Sequence, residues 1–210
     1  GITIMKRAQL LGLISRASKT IAVAGTHGKT TTSSMTAHVL LQCGEDISAF
    51  LGGILSGYET NYFLGNSEWV VAEADEFDRS FLHLSPEIAV VNSIEADHLD
   101  IYGDASHVKE SYWEFIHKTR EGQYLLLSEF VIDDLLEEEV EELKSKYRVK
   151  VFGFGDHCNI KLNNVKVIDG AVYFDYKSEF ANLEGVKILM PGYHNVMNAS
   201  VAITVALILN

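Results

Sequence analysis

Residues 21–32, IAVAGTHGKTTT, constrain the fold of this chain more than any other segment. An apolar run ends in a turn bounded by Gly25 and Gly28, and Lys29 and Thr30 then open a segment of helix-forming character. The backbone N–H groups of such a turn, and of the helix N-terminus behind it, converge on one point and bind an anion there. Strand, glycine turn and helix in this order predict a phosphate-binding loop for a nucleotide.

The side chains of this loop have different predicted roles in nucleotide binding. The Lys29 ammonium can reach the β- and γ-phosphates, and the Thr30 hydroxyl can bind Mg²⁺. The loop is shorter than the full G-x-x-x-x-G-K-[ST] pattern, because Val23 stands where the first glycine is expected. A tight turn that needs glycine for positive φ would explain the glycines but not the lysine or the threonines. We predict that Lys29 lies on a turn rather than in the core, within a set of nucleotide-binding residues: Gly25, Thr26, His27, Gly28, Lys29, Thr30 and Thr31.

Two further apolar runs end in acidic residues and a histidine. Residues 69–72 continue into Glu73, and residues 88–91 are followed by Asp97 and His98. Ligands of open α/β sheets bind beyond the carboxyl ends of the strands, so these groups are predicted to face the same crevice as the loop. Carboxylate oxygens suit Mg²⁺. Two strands that deliver acid and histidine to one edge are typical of a two-metal phosphoryl-transfer site.

Apolar runs alternate with helix-forming segments along most of the chain. Strands are predicted at residues 19–24, 69–74, 88–91, 124–127 and 149–152, and helices at residues 5–16, 29–42, 106–118, 131–147 and from 195 onward. Continuous apolar strands separated by helices are typical of a parallel sheet covered on both faces. Asp169 and Gly170 join two shorter alternating segments, which is a hairpin signal. We therefore predict an α/β fold, a mostly parallel P-loop sheet flanked by helices, with a small antiparallel sheet appended.

Composition narrows the class of partner. The chain has 17 lysines and arginines and 29 aspartates and glutamates, which gives a net charge of −12. It therefore lacks the basic surface that is typical of nucleic-acid binders. We expect no nucleic-acid partner. No apolar run has the roughly 18 residues that a membrane span needs, so we expect no membrane association. Cys43 and Cys158 show neither disulfide-framework nor zinc-knuckle spacing, and we expect a cytoplasmic protein.

Residues 191–198, PGYHNVMN, precede the last apolar helix. His194 and Asn198 are four residues apart and would share a helix face, where an amide can pair with the edge of an adenine. Asn195 could also serve merely as a helix N-cap. We include His194, Asn195 and Asn198 among the nucleotide-binding candidates.

Together these motifs resemble the central ATPase domain of the Mur ligases, the ATP-dependent amide ligases of peptidoglycan synthesis. The resemblance covers about residues 8–210 and rests on GTHGKTT, EADE, SFLHL, IEADHLD and the segment 191–198. The histidine His27, with SFLHL and IEADHLD, is most similar to the branch that joins L-alanine to UDP-N-acetylmuramate. Two departures stand out: Ser93 takes a position where asparagine is usual, with Asn92 one residue earlier, and Tyr112 replaces a lysine that some members carbamoylate.

The resemblance implies ATP and Mg²⁺ as cofactors, with Lys29, Glu73 and His98 catalytic. Thr30 and Glu73 would hold one magnesium ion and His98 a second, while His194, Asn195 and Asn198 would line the adenine pocket. The implied reaction forms an acyl phosphate on UDP-N-acetylmuramate, which the amine of L-alanine then attacks.

The same resemblance implies a domain organisation. Residues 1–17 are predicted to form a lead-in helix and residues 18–210 a central ATP-binding domain, and the uridine-nucleotide domain and the C-terminal domain of the family are expected outside this sequence. Two alternatives remain: a ligase that recycles murein peptides, and a P-loop module that switches partners with its nucleotide state.

Overall fold

The structure, a computed structural model, describes residues 4–95 and 105–210, without the side chains of Asp78 and Ala105. His98, one of the predicted site residues, lies outside the described residues together with its neighbour Asp97. In the described ranges the strands are β1 (Lys19–Ala24), β2 (Ser48–Leu55), β3 (Thr60–Phe63), β4 (Trp69–Glu73), β5 (Ile88–Val91), β6 (Tyr124–Ser128), β7 (Arg148–Gly153), β8 (Ile160–Ile168), β9 (Ala171–Lys177) and β10 (Asn182–Ile188). The helices are α1 (Arg7–Ala17), α2 (Lys29–Gln42), α3 (Ala105–Ile116), α4 (Glu129–Asp133), α5 (Glu137–Lys146) and α6 (Tyr193–Leu209), with a 3₁₀ helix at Phe77–His83.

The strands form one sheet in the order β10-β9-β8-β7-β6-β5-β1-β4-β2-β3. Strand β1 lies inside the sheet and pairs in parallel with both β4 and β5. Parallel pairing continues on one side to β2 and on the other through β6 and β7 to β8. The pairs β2/β3, β8/β9 and β9/β10 are antiparallel. The predicted α/β fold is confirmed, and the antiparallel addition continues the parallel sheet because β8 pairs with both β7 and β9.

Side chains of β1 alternate between two apolar clusters. Ile21 and Val23 pack in the cluster that contains residues of α2 and α6. Ala22 and Ala24 pack in the opposite cluster, with α3 and α5 residues. All four side chains are completely buried. Both faces of the central strands are therefore covered, which explains why these strands are continuous apolar runs in the sequence.

The turn at Asp169 and Gly170 joins β8 to β9 as predicted. Both residues have positive φ, 50° and 77°, as a two-residue hairpin turn of type I′ requires. Among the described residues, no helix combines the length and the apolar character needed to cross a membrane.

The structure corrects the prediction of one helix over residues 131–147. This region forms α4 and α5, because Leu136 has an extended backbone (φ −72°, ψ 153°) and begins a new helix. Its N–H donates to Glu139 Oε2 at 2.8 Å, while Ser128 Oγ accepts from the Val131 N–H at the start of α4. Two local caps thus favour separate helices over one continuous helix.

Three strands were not predicted: β2, β3 and β10. Each lies at or next to an edge of the sheet. Strand β10 is mostly exposed, and β2 contains the pair Gly52 and Gly53 with several part-exposed positions. Such strands carry a weak apolar pattern, so pairing with a neighbour rather than local sequence determines them. The last helix begins at Tyr193, two residues before the predicted start.

We expect Leu126→Ala to destabilise the protein strongly. Leu126 is completely buried in β6, so truncation removes its contacts and leaves a cavity, at a cost of about 2–5 kcal/mol in the free energy of unfolding. Leu64→Ala is the matched control, because Leu64 is 77% exposed and should change stability by less than about 0.5 kcal/mol. Urea denaturation of both variants measures the difference; equal stabilities would contradict the sheet packing described above.

Candidate functional site

The loop between β1 and α2 has a backbone that only glycine adopts without strain at two positions. Gly25 and Gly28 have φ of 133° and 79°, and Gly28 is the N-cap residue of α2. A Cβ atom on Gly25 would lie 2.9 Å from the Ser93 backbone nitrogen, so the loop packs directly on the chain that follows β5. The helix N-terminus opens at this point, with the N–H of Thr32 donating to Gly28 O at 2.8 Å. This is the geometry that presents backbone N–H groups to an anion.

Lys29 begins α2 and turns its side chain back under the loop. Its Nζ donates to Gly25 O at 2.9 Å and to Glu76 Oε1 at 2.8 Å. The Lys29 side chain is only 15% exposed and that of Glu76 only 3%. The prediction that Lys29 lies on a turn rather than in the core therefore needs correction: it lies at the turn and is largely buried. Sequence reasoning missed Glu76, because nothing in the acidic run distinguishes the carboxylate that meets the lysine.

Glu73 ends β4 between α2 and β2. Its Oε1 accepts from Thr30 Oγ1 at 3.1 Å, and its Oε2 accepts from the Gly52 N–H at 2.9 Å. A Cβ atom on Gly52 would lie 2.4 Å from both carboxylate oxygens, so glycine is needed for this approach. The predicted pair Thr30 and Glu73 is thus brought together, a hydroxyl and a carboxylate whose oxygens are of the type that Mg²⁺ prefers. Gly52 was missed together with its strand.

The chain after β5 runs alongside the loop. Ser93 accepts the N–H of Thr26 on its carbonyl oxygen and that of His27 on its hydroxyl, both at 3.0 Å. The Glu95 N–H donates to Thr26 Oγ1 at 2.9 Å, and Glu95 Oε2 lies 3.4 Å from His27 Nε2 on the surface. Glu95 is the last residue described before the gap that contains His98. Of the predicted metal ligands, the structure therefore places Thr30 and Glu73 and leaves His98 undescribed.

A buried polar network beneath the loop joins α2, α6 and the residue that follows β5. Thr32 Oγ1 donates to Asn198 Oδ1 at 2.9 Å and accepts from Asn92 Nδ2 at 3.0 Å. Asn198 Nδ2 in turn donates to Asn195 Oδ1 at 3.4 Å. These four side chains are buried. Asn92, which the sequence placed one residue from the usual asparagine position, thus contacts the first turn of α2.

A cavity of about 480 Å³ opens between the loop and α6. Six predicted residues line it. The polar lining includes His27, Gly28, Thr31, His194, Asn195 and Asn198, and the apolar lining Phe130, Phe152, Met190 and Met197. Asn195 lies in the first turn of α6 and donates to Pro191 O at 2.7 Å, while Gly192 is the N-cap residue. The alternative that Asn195 is only an N-cap is therefore wrong.

The chain matches the family model for the Mur ligase middle domain over residues 23–206. A curated relative, the UDP-N-acetylmuramate–L-alanine ligase of Cytophaga hutchinsonii, is 44% identical over 98% of this chain and 44% of its own length. The chain thus spans less than half the length of this relative.

Solved structures show the same architecture. The UDP-N-acetylmuramate:L-alanyl-gamma-D-glutamyl-meso-diaminopimelate ligase from Neisseria meningitides has a TM-score of 0.78 at 27% identity, over 95% of this chain and 64% of that one. The UDP-N-acetylmuramate–alanine ligase from Thermotoga maritima has a TM-score of 0.74 at 25% identity, over 96% of this chain and 44% of that one. The family model, which spans most of the chain, and these likenesses together place the chain in the Mur ligase family, as its middle domain.

Proposed function

We propose that this chain is the ATP-binding domain of an amide ligase that joins L-alanine to UDP-N-acetylmuramate. The observation that carries the proposal is the meeting of two features at one edge of the sheet. Lys29, Thr30 and Glu73 gather around the phosphate-binding loop, and the same loop lines the cavity that α6 closes. A nucleotide could thus occupy the cavity with its base and reach the loop with its phosphates.

At the phosphate end, the backbone N–H groups at the N-terminus of α2 bind the phosphate oxygens. The Lys29 ammonium exchanges part of its contact with Glu76 and the Gly25 carbonyl for the transferring phosphate. Thr30 and Glu73 would hold Mg²⁺, because this donor set of hydroxyl and carboxylate oxygens, 3.1 Å apart, fits that ion. The ion would neutralise part of the negative charge of the triphosphate. We assign His98 to a second magnesium ion on the resemblance alone.

At the base end, the cavity offers the chemistry that a purine requires. Its volume of about 480 Å³ lies within the range of small-ligand sites. Phe130 and Met190 provide apolar walls, and the Asn195 and Asn198 amides provide hydrogen-bonding groups at the helix α6 side. His194, on the first turn of α6, lies at the rim of the cavity and is exposed. These contacts support adenine binding by His194, Asn195 and Asn198.

We propose the two-step reaction that the family resemblance implies. The carboxylate of UDP-N-acetylmuramate attacks the γ-phosphorus, the bond to the β,γ-bridging oxygen breaks, and ADP leaves. The product is an acyl phosphate, whose carbonyl carbon the amine of L-alanine attacks, and phosphate leaves as the amide forms. Lys29 stabilises the negative charge that moves onto the bridging oxygen. Without activation the carboxylate oxygen would be too poor a leaving group for amide formation.

L-Alanine is favoured over a preformed peptide as the joined group by the curated relative at 44% identity, which is named as an alanine ligase. The murein-peptide alternative keeps one supporting observation, the TM-score of 0.78 to the neisserial ligase. Assay of the full-length protein with ATP and either L-alanine or the tripeptide L-alanyl-γ-D-glutamyl-meso-diaminopimelate separates the two. Amide formation with the tripeptide but not with L-alanine would overturn the assignment of L-alanine as the joined group.

Replacement of Lys29 should remove nucleotide binding and also disturb the fold. Lys29→Ala takes the ammonium away from a carboxylate that is 3% exposed, and breaking a buried ion pair costs about 3–5 kcal/mol in stability. The double variant Lys29→Ala/Glu76→Gln removes that buried charge as well. We expect it to regain most of the stability but not the affinity for ATP·Mg²⁺, as measured by thermal unfolding and isothermal titration.

In the full-length protein the same double variant should lower kcat by about 10²–10³, because it lacks a transition-state charge stabiliser. Glu76→Gln alone breaks the same buried ion pair but keeps the Lys29 ammonium, so it separates the effect of the pair from that of the ammonium. A double variant with normal ATP affinity and turnover would remove Lys29 from the mechanism.

Gly52→Ala should weaken magnesium-dependent nucleotide binding. The added methyl group would lie 2.4 Å from the Glu73 carboxylate and must displace it from Thr30. Gly53→Ala is the matched control, since its methyl group would meet only Thr30 Cγ2, at 3.1 Å. We expect a larger loss of ATP affinity for Gly52→Ala in the presence of Mg²⁺, with little difference between the variants in EDTA. Equal affinities in Mg²⁺ would argue against Glu73 as a ligand.

We propose that residues 18–210 form the ATP-binding unit, with the sites for the uridine nucleotide and L-alanine elsewhere in the longer protein. Holding the reacting groups in line is worth roughly 7–11 kcal/mol, and this positioning depends on those substrate sites. The 210-residue chain should therefore bind ATP·Mg²⁺ weakly and form no amide. Incubation with both substrates, ATP and Mg²⁺, with the full-length protein in parallel, tests this; sustained alanine-dependent phosphate release by the chain alone would refute it.

A further inference from the structure

A second cluster of potential ligands lies at the start of α4 and in the turn between β7 and β8. It consists of Glu129, His157 and Cys158, and one ligand atom from each lies within 4.8 Å of the other two. The Cys158 Sγ is 3.8 Å from Glu129 Oε2. Glu129 and Cys158 are buried, and His157 is exposed. None of the three belongs to the phosphate loop or its carboxylates, so the proposed function leaves this cluster unexplained.

The Glu129 carboxylate is held in place by the backbone that follows β7. Its Oε1 accepts the Phe154 N–H at 3.1 Å, and its Oε2 accepts the Gly155 N–H at 2.8 Å. A Cβ atom on Gly153 would lie 2.4 Å from Glu129 Cδ, so the turn closes tightly over the carboxylate. The orientation of Glu129 is therefore set before any ligand arrives, and each carboxylate oxygen retains lone-pair capacity for a cation.

The His157 imidazole has a carboxylate partner on its outer side. Its Nε2 lies 3.2 Å from Asp133 Oδ1. A Cβ atom on Gly155 would be 2.7 Å from His157 Cε1, 2.9 Å from Nδ1 and 3.0 Å from Glu129 Oε2, so the Cε1–Nδ1 edge of the ring and the carboxylate border the same space. Gly155 thus leaves open a space between the imidazole and the carboxylate that any side chain would fill. A histidine that donates one ring N–H to a carboxylate presents its other nitrogen as a metal ligand.

Thiol, imidazole and carboxylate in one cluster identify the class of ion. Zn²⁺ and Co²⁺ accept sulfur, nitrogen and oxygen ligands in tetrahedral geometry, whereas Mg²⁺ takes oxygen ligands almost exclusively. We propose that Glu129 Oε2, His157 Nδ1 and Cys158 Sγ bind one zinc-class divalent ion, with Asp133 orienting the imidazole and water as the fourth ligand. Binding converts the Cys158 thiol into a thiolate and releases its proton to solvent.

Two features of the surroundings bear on this site. Burial, followed by the charge of Glu129, raises the pKa of the Cys158 thiol to about 11, so the thiol keeps its proton at neutral pH until a metal displaces it. Phe130, adjacent to Glu129, lines the 480 Å³ cavity. The proposed metal site does not depend on which ligand that cavity binds.

Cobalt titration of the metal-free chain tests the proposal. We expect one equivalent of Co²⁺ to bind with a thiolate-to-cobalt charge-transfer band in the near ultraviolet, which Zn²⁺ removes and Mg²⁺ leaves unchanged. Cys158→Ser should abolish the band. Cys43→Ser is the matched control, because Cys43 is exposed at the end of α2, and it should leave the band intact. Absence of the band from the unsubstituted chain, or its survival in Cys158→Ser, would overturn the proposal.

A second variant keeps the test decisive if Cys158→Ser does not fold. Asp133 is 61% exposed, so Asp133→Asn should leave the thermal unfolding of the metal-free chain unchanged. Loss of the carboxylate behind the histidine should weaken Co²⁺ binding about 10- to 100-fold. Unchanged Co²⁺ affinity in folded Asp133→Asn would show that His157 is not oriented as proposed. Neither outcome depends on ATP binding, so failure here would leave the proposed ligase function untouched.

Discussion

The parallel pairing of β1 with both β4 and β5 determines where the candidate site residues lie. In this register Val23 is opposite Glu73, and Ala24 is opposite Val91. Since the three strands run in the same direction, their carboxyl ends and the segments that follow them emerge at one edge. The loop between β1 and α2, the Glu73 carboxylate and the Asn92 segment therefore meet, although up to about 70 residues separate them in sequence.

Buried polar contacts then fix the loop against its neighbours. Lys29 and Glu76 form an ion pair that is almost out of contact with water, and such pairs are costly to break even when they add little net stability. The Thr32 hydroxyl is both a donor and an acceptor, which links α2 to α6 and to the segment that follows β5. These contacts hold the loop against α6 and the segment that follows β5.

Electrostatics explains how an acidic chain could serve an anionic ligand. Glu73 and Glu76 both lie beside the proposed phosphate site, yet each is oriented toward a different partner. Glu76 contacts Lys29, and Glu73 contacts Thr30 and the Gly52 N–H. One carboxylate thus positions a cationic side chain and the other faces the place proposed for a metal ion. The net charge of −12 is therefore compatible with nucleotide binding, because local cations reverse the field at the site.

The sequence by itself determined the elements whose signals are local. Continuous apolar runs predicted the central strands, the glycine turn before Lys29 predicted the loop and the start of α2, and Asp169 with Gly170 predicted the hairpin. These features depend on backbone preferences and on burial patterns that are visible in short stretches of sequence. The convergence of parallel strand ends predicted that Glu73 faces the same crevice as the loop, and the family resemblance supplied its pairing with Thr30.

Only the tertiary structure decided features that depend on pairing between distant segments. The strands β2, β3 and β10 have a weak apolar pattern and form because they pair with neighbouring strands. The close approach of Gly52 to Glu73 could therefore not be predicted from the sequence. Glu76 is one of several adjacent acids, and its burial against Lys29 follows from how the 3₁₀ helix packs. Glu129 lies far in sequence from His157 and Cys158, so the spacing of these residues along the chain gives no sign of a metal site. The parallel pairing of β6 with β7 brings the three residues together. Long-range contacts of this kind leave no local pattern, because the partner that defines each of them lies elsewhere in the sequence.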